Sequence, residues 1–319
     1  MTAVINLEEA LDEVHGAVLA MLPESLLDLS DIPACRSVIN GFLEQMPKPE
    51  LPASVEISEV LVPGHGAGEP EVRVKLYRPA GLTADAPALL WIHGGGMVLM
   101  SADGDDASCA VRAHEHQCLV ASVDYRLAPE TPAPGLVNDC YAALTWLAGS
   151  AGELGIDAER IVIGGASAGG GLAAGTALYA RDNGGPALAG QLLVYPMLDH
   201  RNDTPSSHAI VDPRVWNRTS NDLAWAAYLG GQSATTYSSP SIADDLSGLP
   251  PAHIGVGSFD LFLDEDIAYA RAMLSAGSHA ELHVYPGAFH GSNSFVADHP
   301  LSQRWSADEE AFLARTFAG

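Results

Sequence analysis

The run Ile161-Val162-Ile163 passes through Gly164 and Gly165 into Ala166-Ser167-Ala168-Gly169 and then into a stretch of glycines and alanines. That order dictates a strand, a turn of almost no length and a helix, the repeating unit of a parallel α/β sheet. Small residues on both sides of Ser167 leave room for a sharp, strained turn that bulky neighbours would forbid. Such a turn presents Ser167 Oγ and aims a helix N-terminus at whatever the serine attacks. Unpaired N–H groups and a partial positive charge gather there, and both suit an oxyanion. The pattern Gly-x-Ser-x-Gly also occurs in ordinary glycine-rich loops, so other residues must decide its meaning.

Strand-like runs recur at 55–62, 72–78, 88–92, 119–123, 160–163, 191–195, 252–257 and 281–285. Helical stretches separate the later ones, which predicts an α/β fold: a mostly parallel eight-stranded sheet flanked by helices. Residues 1–50 read as a helical arm with Leu7, Leu11, Val14 and Val18 on one face, ended by the proline-rich segment 46–52. The polar stretch 199–205, between the strand ending at Tyr195 and the helix-like 222–229, is too long for a tight connection. The expected organisation is a helical cap in two parts, 1–50 and 198–240, over a catalytic domain built from 51–197 and 241–319.

Two further motifs give the serine its context. Trp91-Ile92-His93-Gly94-Gly95-Gly96 follows a strand and opens a loop whose glycines let backbone N–H groups approach a ligand. The N–H groups of Gly94, Gly95 and Ala168 are the expected oxyanion donors, each worth about 3–4 kcal/mol of barrier in acyl transfer. Neither a G-x-G-x-x-G spacing nor a Walker lysine accompanies them, which argues against a phosphate loop. Asp260 falls at the end of strand 252–257, and His290 on the loop after strand 281–285, both at the edge where open α/β sheets place ligands. The order serine, acid, histidine makes Ser167, Asp260 and His290 the expected catalytic set, with Asp264 the one competing acid. His253, His279, His283 and His299 lie within strands or polar stretches and read as packing or surface residues.

On these residues the chain resembles the hormone-sensitive-lipase family of α/β-hydrolase esterases. His93-Gly94-Gly95-Gly96, Tyr125-Arg126-Leu127-Ala128-Pro129-Glu130, Gly165 through Gly170, Asp260 through Glu265, and Phe289-His290-Gly291 are similar to its recurrent motifs. The resemblance implies a helical-capped α/β-hydrolase fold, a catalytic aspartate at Asp260, short- to medium-chain acyl esters as substrates, and a homodimer formed through the last strand. The chain departs at Ala166, where the family usually carries aspartate or threonine, which implies altered tuning of the turn. Glu130 has two readings, steadying the oxyanion loop as the resemblance implies, or pairing locally with Arg126. The expected chemistry is two-step acyl transfer, Ser167 as nucleophile and His290 as base, needing no metal or organic cofactor. An amidase, lactonase or deacetylase on the same residues stays open, as does a non-catalytic receptor on the same fold.

Composition bounds the partners. Forty acidic against 15 basic residues give a net charge of −25, with lysine only at positions 48 and 75. That field disfavours nucleic acid and anionic membranes and leaves a neutral small-molecule ester as the expected partner. It fits either adaptation to salt or ordinary acidic solubility. No long apolar span is evident, and the first residues lack the basic and apolar regions of a leader, so cytoplasmic residence is expected. Cys35, Cys109, Cys118 and Cys140 have no metal or redox spacing and read as buried, reduced thiols. Met97 through Met100, Trp216 and Trp225 fit either packing or a substrate pocket.

Overall fold

A computed structural model describes residues 3–45 and 49–319. The proline-rich break expected at 46–52 includes Met46, Pro47 and Lys48, and the expected leaderless start includes Met1 and Thr2; those five lie outside the described residues. The chain forms α1 (Leu7–Ala10), α2 (Glu13–Met21) and α3 (Ile32–Gln45), then β1 (Val55–Val62), β2 (Val72–Pro79) and β3 (Ala86–Ile92). Helix α4 (Asp106–His116) leads to β4 (Leu119–Asp124), and α5 (Gly135–Gly149) with α6 (Ala151–Leu154) leads to β5 (Ile156–Ala166). Helix α7 (Ala168–Asp182) precedes β6 (Gly190–Val194), and α8 (Pro205–Ala209) and α9 (Arg218–Leu229) precede β7 (Ala252–Phe259). Last come α10 (Leu263–Ser275), β8 (Ala280–Phe289), α11 (Ser292–Phe295) and α12 (Pro300–Ala318).

The eight strands form one sheet in the order β1-β2-β4-β3-β5-β6-β7-β8. The first two pairings are antiparallel and the rest parallel, the α/β-hydrolase arrangement. Alternate side chains of the parallel strands enter two different cores. Leu89 and Trp91 of β3 pack with α4 and α12, whereas Ala88, Leu90 and Ile92 pack with α5 and α7. Both faces are thereby buried, which is why these strands read as nearly continuous apolar runs.

Helix α7 carries Gly169, Gly170, Gly171 and Gly175, each costing about 1 kcal/mol of helix propensity relative to alanine. Close packing explains them. A Cβ at Gly169 would stand 2.0 Å from the Ile92 carbonyl oxygen, and one at Gly171 would stand 2.0 Å from that of Met197. The helix therefore seats its backbone directly against the strand ends.

The N-terminal arm differs from expectation. It breaks after α1 because Asp12 caps a new helix, accepting from the N–H groups of Val14 and His15 at 3.0 and 2.9 Å. The break rotates the pattern: His15 and Leu19 face inward, while Val14 is exposed. No helix among the described residues is long and apolar enough to cross a membrane. All four cysteines are buried and unpaired.

Candidate active site

Topology brings the sequence motifs together before any side chain is considered. Strand β3 lies between β4 and β5, so chain direction across the sheet reverses there and a crevice opens at the strand ends. Ile92 is in register with Gly165, which sets the loop His93–Gly96 beside the turn at Ser167. Phe259 is in register with Phe289, which sets Asp260 beside His290.

Ser167 occupies φ 57°, ψ −121°, between strand and helix. Its N–H donates to the Val194 carbonyl at 2.8 Å, and its carbonyl accepts from Gly171 and Met197 at 3.0 and 2.9 Å. These bonds hold a conformation that a side-chain-bearing residue adopts only at a cost. Ser167 Oγ lies 3.0 Å from His290 Nε2, and His290 Nδ1 lies 2.8 Å from Asp260 Oδ2. The other oxygen of Asp260 accepts from the Phe262 N–H at 3.0 Å. With Asp260 ionised, Nδ1 must carry the imidazole proton, and Nε2 is left to accept the serine's. Tyr195, Phe262 and Trp216 stand around the His290 ring at centroid distances of 4.6, 5.2 and 6.5 Å.

The glycine loop is fixed from behind. Tyr125 Oη donates to the His93 and Gly94 carbonyls at 3.0 and 3.3 Å, and the His93 ring stacks on Tyr125 at 4.1 Å. His93 Nδ1 donates to the Gly94 carbonyl at 2.7 Å, and burial lowers the pKa of this ring, keeping it neutral. Gly95 has φ +108°, and a Cβ there would stand 2.2 Å from the Leu99 carbonyl oxygen. Among the described residues, no acceptor takes the N–H of Gly94, Gly95 or Ala168.

The rival residues go elsewhere. Asp264 accepts from the Ser206 N–H at 2.7 Å, His253 is buried against Glu281 at 2.9 Å, His283 faces Asp308 at 3.3 Å, and His299 caps α12. His279 is exposed. Glu130 does not pair with Arg126, whose guanidinium is taken by Asp139 and Glu69. Its partner is Arg36 of α3, at 2.7 and 2.8 Å, and Arg36 also donates to the Val98 and Ala128 carbonyls. Arg36 thus ties the N-terminal arm to the chain just after the glycine loop. Two clusters, Asp12/His15/His299 and His253/Glu281/His283, bring three potential metal donors within 4.8 Å of one another. Neither lines the cavity at Ser167.

That cavity measures about 310 Å³. Arm residues Leu22, Leu26, Ile39 and Phe42 line one side, with Leu99, Met100 and Trp216. Met97, Val98 and Trp225 belong to the buried core instead. Sequence reasoning missed Asp105, Arg112 and Glu309, which line the far end. Asp105 and Arg112 stand seven residues apart at the cap and in the body of α4, Glu309 is on α12, and each alone reads as an ordinary helix charge, so no local signal joins the three.

A family model described as alpha/beta hydrolase fold matches residues 89–294. Carboxylesterase NlhH of Mycobacterium tuberculosis is 38% identical over 273 residues, covering 84% of this chain and 85% of that protein. Carboxylic ester hydrolase LipN of the same organism is 36% identical over 269 residues, covering 82% and 70%. Among solved structures, bacterial heroin esterase superposes with a TM-score of 0.93 at 41% identity, covering 98% of this chain and 99% of that one. Esterase LipW from Mycobacterium marinum gives 0.87 at 34% identity, covering 100% and 99%.

Proposed function

The chain belongs to the α/β-hydrolase family, in its hormone-sensitive-lipase branch, and from that premise we propose that it is a serine carboxylesterase acting on short- to medium-chain acyl esters. One observation carries the reading: the Ser167–His290–Asp260 relay, at 3.0 and 2.8 Å, stands beside amide N–H groups that no protein acceptor takes among the described residues. His290 Nε2 takes the Ser167 proton as Oγ bonds to the ester carbonyl carbon. Negative charge moves to the carbonyl oxygen, against the N–H groups of Gly94, Gly95 and Ala168. The ester C–O bond then breaks, and His290 returns the proton to the departing alcohol. Water, deprotonated by His290, attacks the acyl-enzyme by the same route and releases the acid and Ser167. Asp260 orients the ring and stabilises the imidazolium throughout.

Residues 1–50 and 198–240 act as the cap in this proposal, since Leu22, Leu26, Phe42, Val215 and Trp216 border the same cavity as Ser167. Its volume is at the lower end of small-molecule sites, roughly 300–1,000 Å³, in keeping with a small ester. The test is the initial rate across p-nitrophenyl esters of increasing acyl length. An optimum at short to medium acyl chains is expected, with far slower cleavage of a matched p-nitroanilide. Cleavage of the anilide as fast as the ester contradicts the proposal.

A further inference from the structure

The cavity beside Ser167 has two unlike ends. Toward α2 and α3 it is apolar, but its far end, against α4 and α12, is bordered by Trp91, Asp105, Arg112 and Glu309. Ala166, the residue preceding the nucleophile, lines the cavity with only a methyl group.

Buried charge is expensive unless matched, so the pairing at this end is informative. Arg112 Nη2 donates to Glu309 Oε2 at 2.6 Å and its Nε to Glu310 Oε1 at 3.1 Å, while its guanidinium lies 4.5 Å from the Trp91 ring centroid. His116 lies against the other oxygen of Glu310. Asp105 accepts from Trp91 Nε1 at 2.6 Å through Oδ2. What is left over is acceptor in excess: one buried donor, Trp305 Nε1, one turn before Glu309 on α12, also lacks a close partner. Glu309 is 3% exposed, and its Oε1 has no partner among the described residues. Asn293 Oδ1, on the same cavity, is likewise buried and unpartnered. Two carboxyl groups, Glu309 and Glu310, thus share one guanidinium, with His116 on Glu310 alone, while Asp105 has Trp91 Nε1 and stands near His93, which burial keeps neutral.

We infer that this end of the cavity is a subsite for a protonated amine, and that the preferred substrates are esters carrying such a group on their acyl or alcohol part, where it donates to Glu309 Oε1 and Asp105. The inference rests on the carboxylesterase reading and deepens it. Burial raises both carboxyl groups, Glu309 to about 7, so each holds a proton more readily than an exposed acid. An arriving ammonium reverses that balance by supplying the missing positive charge. The net charge of −25 attracts cations toward the site from solution.

The test compares kcat/KM for isosteric pairs at about pH 8. On the acyl side these are p-nitrophenyl 6-aminohexanoate and p-nitrophenyl heptanoate; on the alcohol side, 3-(dimethylamino)propyl acetate and 4-methylpentyl acetate. At least one amine should exceed its neutral partner by about tenfold or more, the scale of a hydrogen bond to a charged group. That ratio should fall toward one in Glu309→Gln and in Asp105→Asn, two variants on different elements. In the wild type it should diminish below pH 7, as Glu309 gains its proton. Neutral esters turned over with no preference for either amine overturn the inference and leave the esterase reading standing. Preference for p-nitrophenyl hydrogen adipate overturns it by making a lining arginine, Arg112 or Arg214, the recognising group, and preference retained in both variants overturns it too. No turnover of any ester removes the esterase reading itself.

Discussion

Ser167 is held at φ 57° by three backbone hydrogen bonds, and a strained residue of this kind costs about 1–3 kcal/mol that the surrounding fold must offset. The neighbouring residues are small because the turn is crowded: a Cβ at Gly165 would stand 2.4 Å from the Gly169 carbonyl carbon. The same logic isolates Gly95. A Cβ there meets the Leu99 carbonyl oxygen, so Gly95→Ala must displace the loop and with it the N–H groups facing the site. On the proposed mechanism kcat falls about 10²–10³-fold with a much smaller change in KM, because oxyanion donors act mainly on the transition state. Unchanged kcat would remove Gly95 from the mechanism. Ser167, Asp260 and His290 were legible as candidates because chain order and strand ends place them at one edge. Asp105, Arg112 and Glu309 were not, because Glu309, on α12, meets the two residues of the α4 region only after the sheet forms.

At the scale of elements, the eight strands were legible because apolar runs bounded by glycine and polar turns mark them. The arm was not. A single capping aspartate, Asp12, resets the helical phase and exchanges Val14 for His15 on the buried side. Glu130 likewise found Arg36, 94 residues away, rather than the nearby arginine. Helix α10 carries a consequence for stability. Glu265 and Asp266 open it fully buried; Glu265 accepts from the Leu198 and Asp199 N–H groups, while neither oxygen of Asp266 has a partner among the described residues. Burial first, then the neighbouring Glu265 and Asp260, push Asp266 well above the usual carboxyl range. An acid raised in the folded state contributes stability that is complete below its unfolded pKa of about 3.9. That contribution is lost as pH rises toward the folded value. In Asp266→Asn the decline of Tm between about pH 5 and pH 9 should therefore be shallower than in the wild type. An equally steep decline would show that Asp266 is ionised in the folded protein.

At the scale of the molecule, charge dominates. Most of the scarce bases are already committed among the described residues: Arg73 meets Glu59, Asp103 and Asp124, and Lys75 meets Asp103 and Asp106. Acids outnumber bases by 25, so the folded surface repels itself. Screening relieves that repulsion once the Debye length falls from roughly 30 Å at 0.01 M salt to about 8 Å at 0.15 M. Melting at rising NaCl concentration should give an increasing Tm, and a steady decrease would mean that the attractive pairs outweigh the surplus. None of this alters the central claim, that one serine at one strained turn carries out the chemistry. Its most direct test is stoichiometric labelling with a p-nitrophenyl alkylphosphonate, followed by mass spectrometry of the intact chain and its peptides. One adduct per chain, on the peptide containing Ser167, with p-nitrophenol released in equal amount and ester hydrolysis lost in parallel, is the predicted result. An adduct on another residue, or esterase activity that survives complete labelling of Ser167, would contradict it.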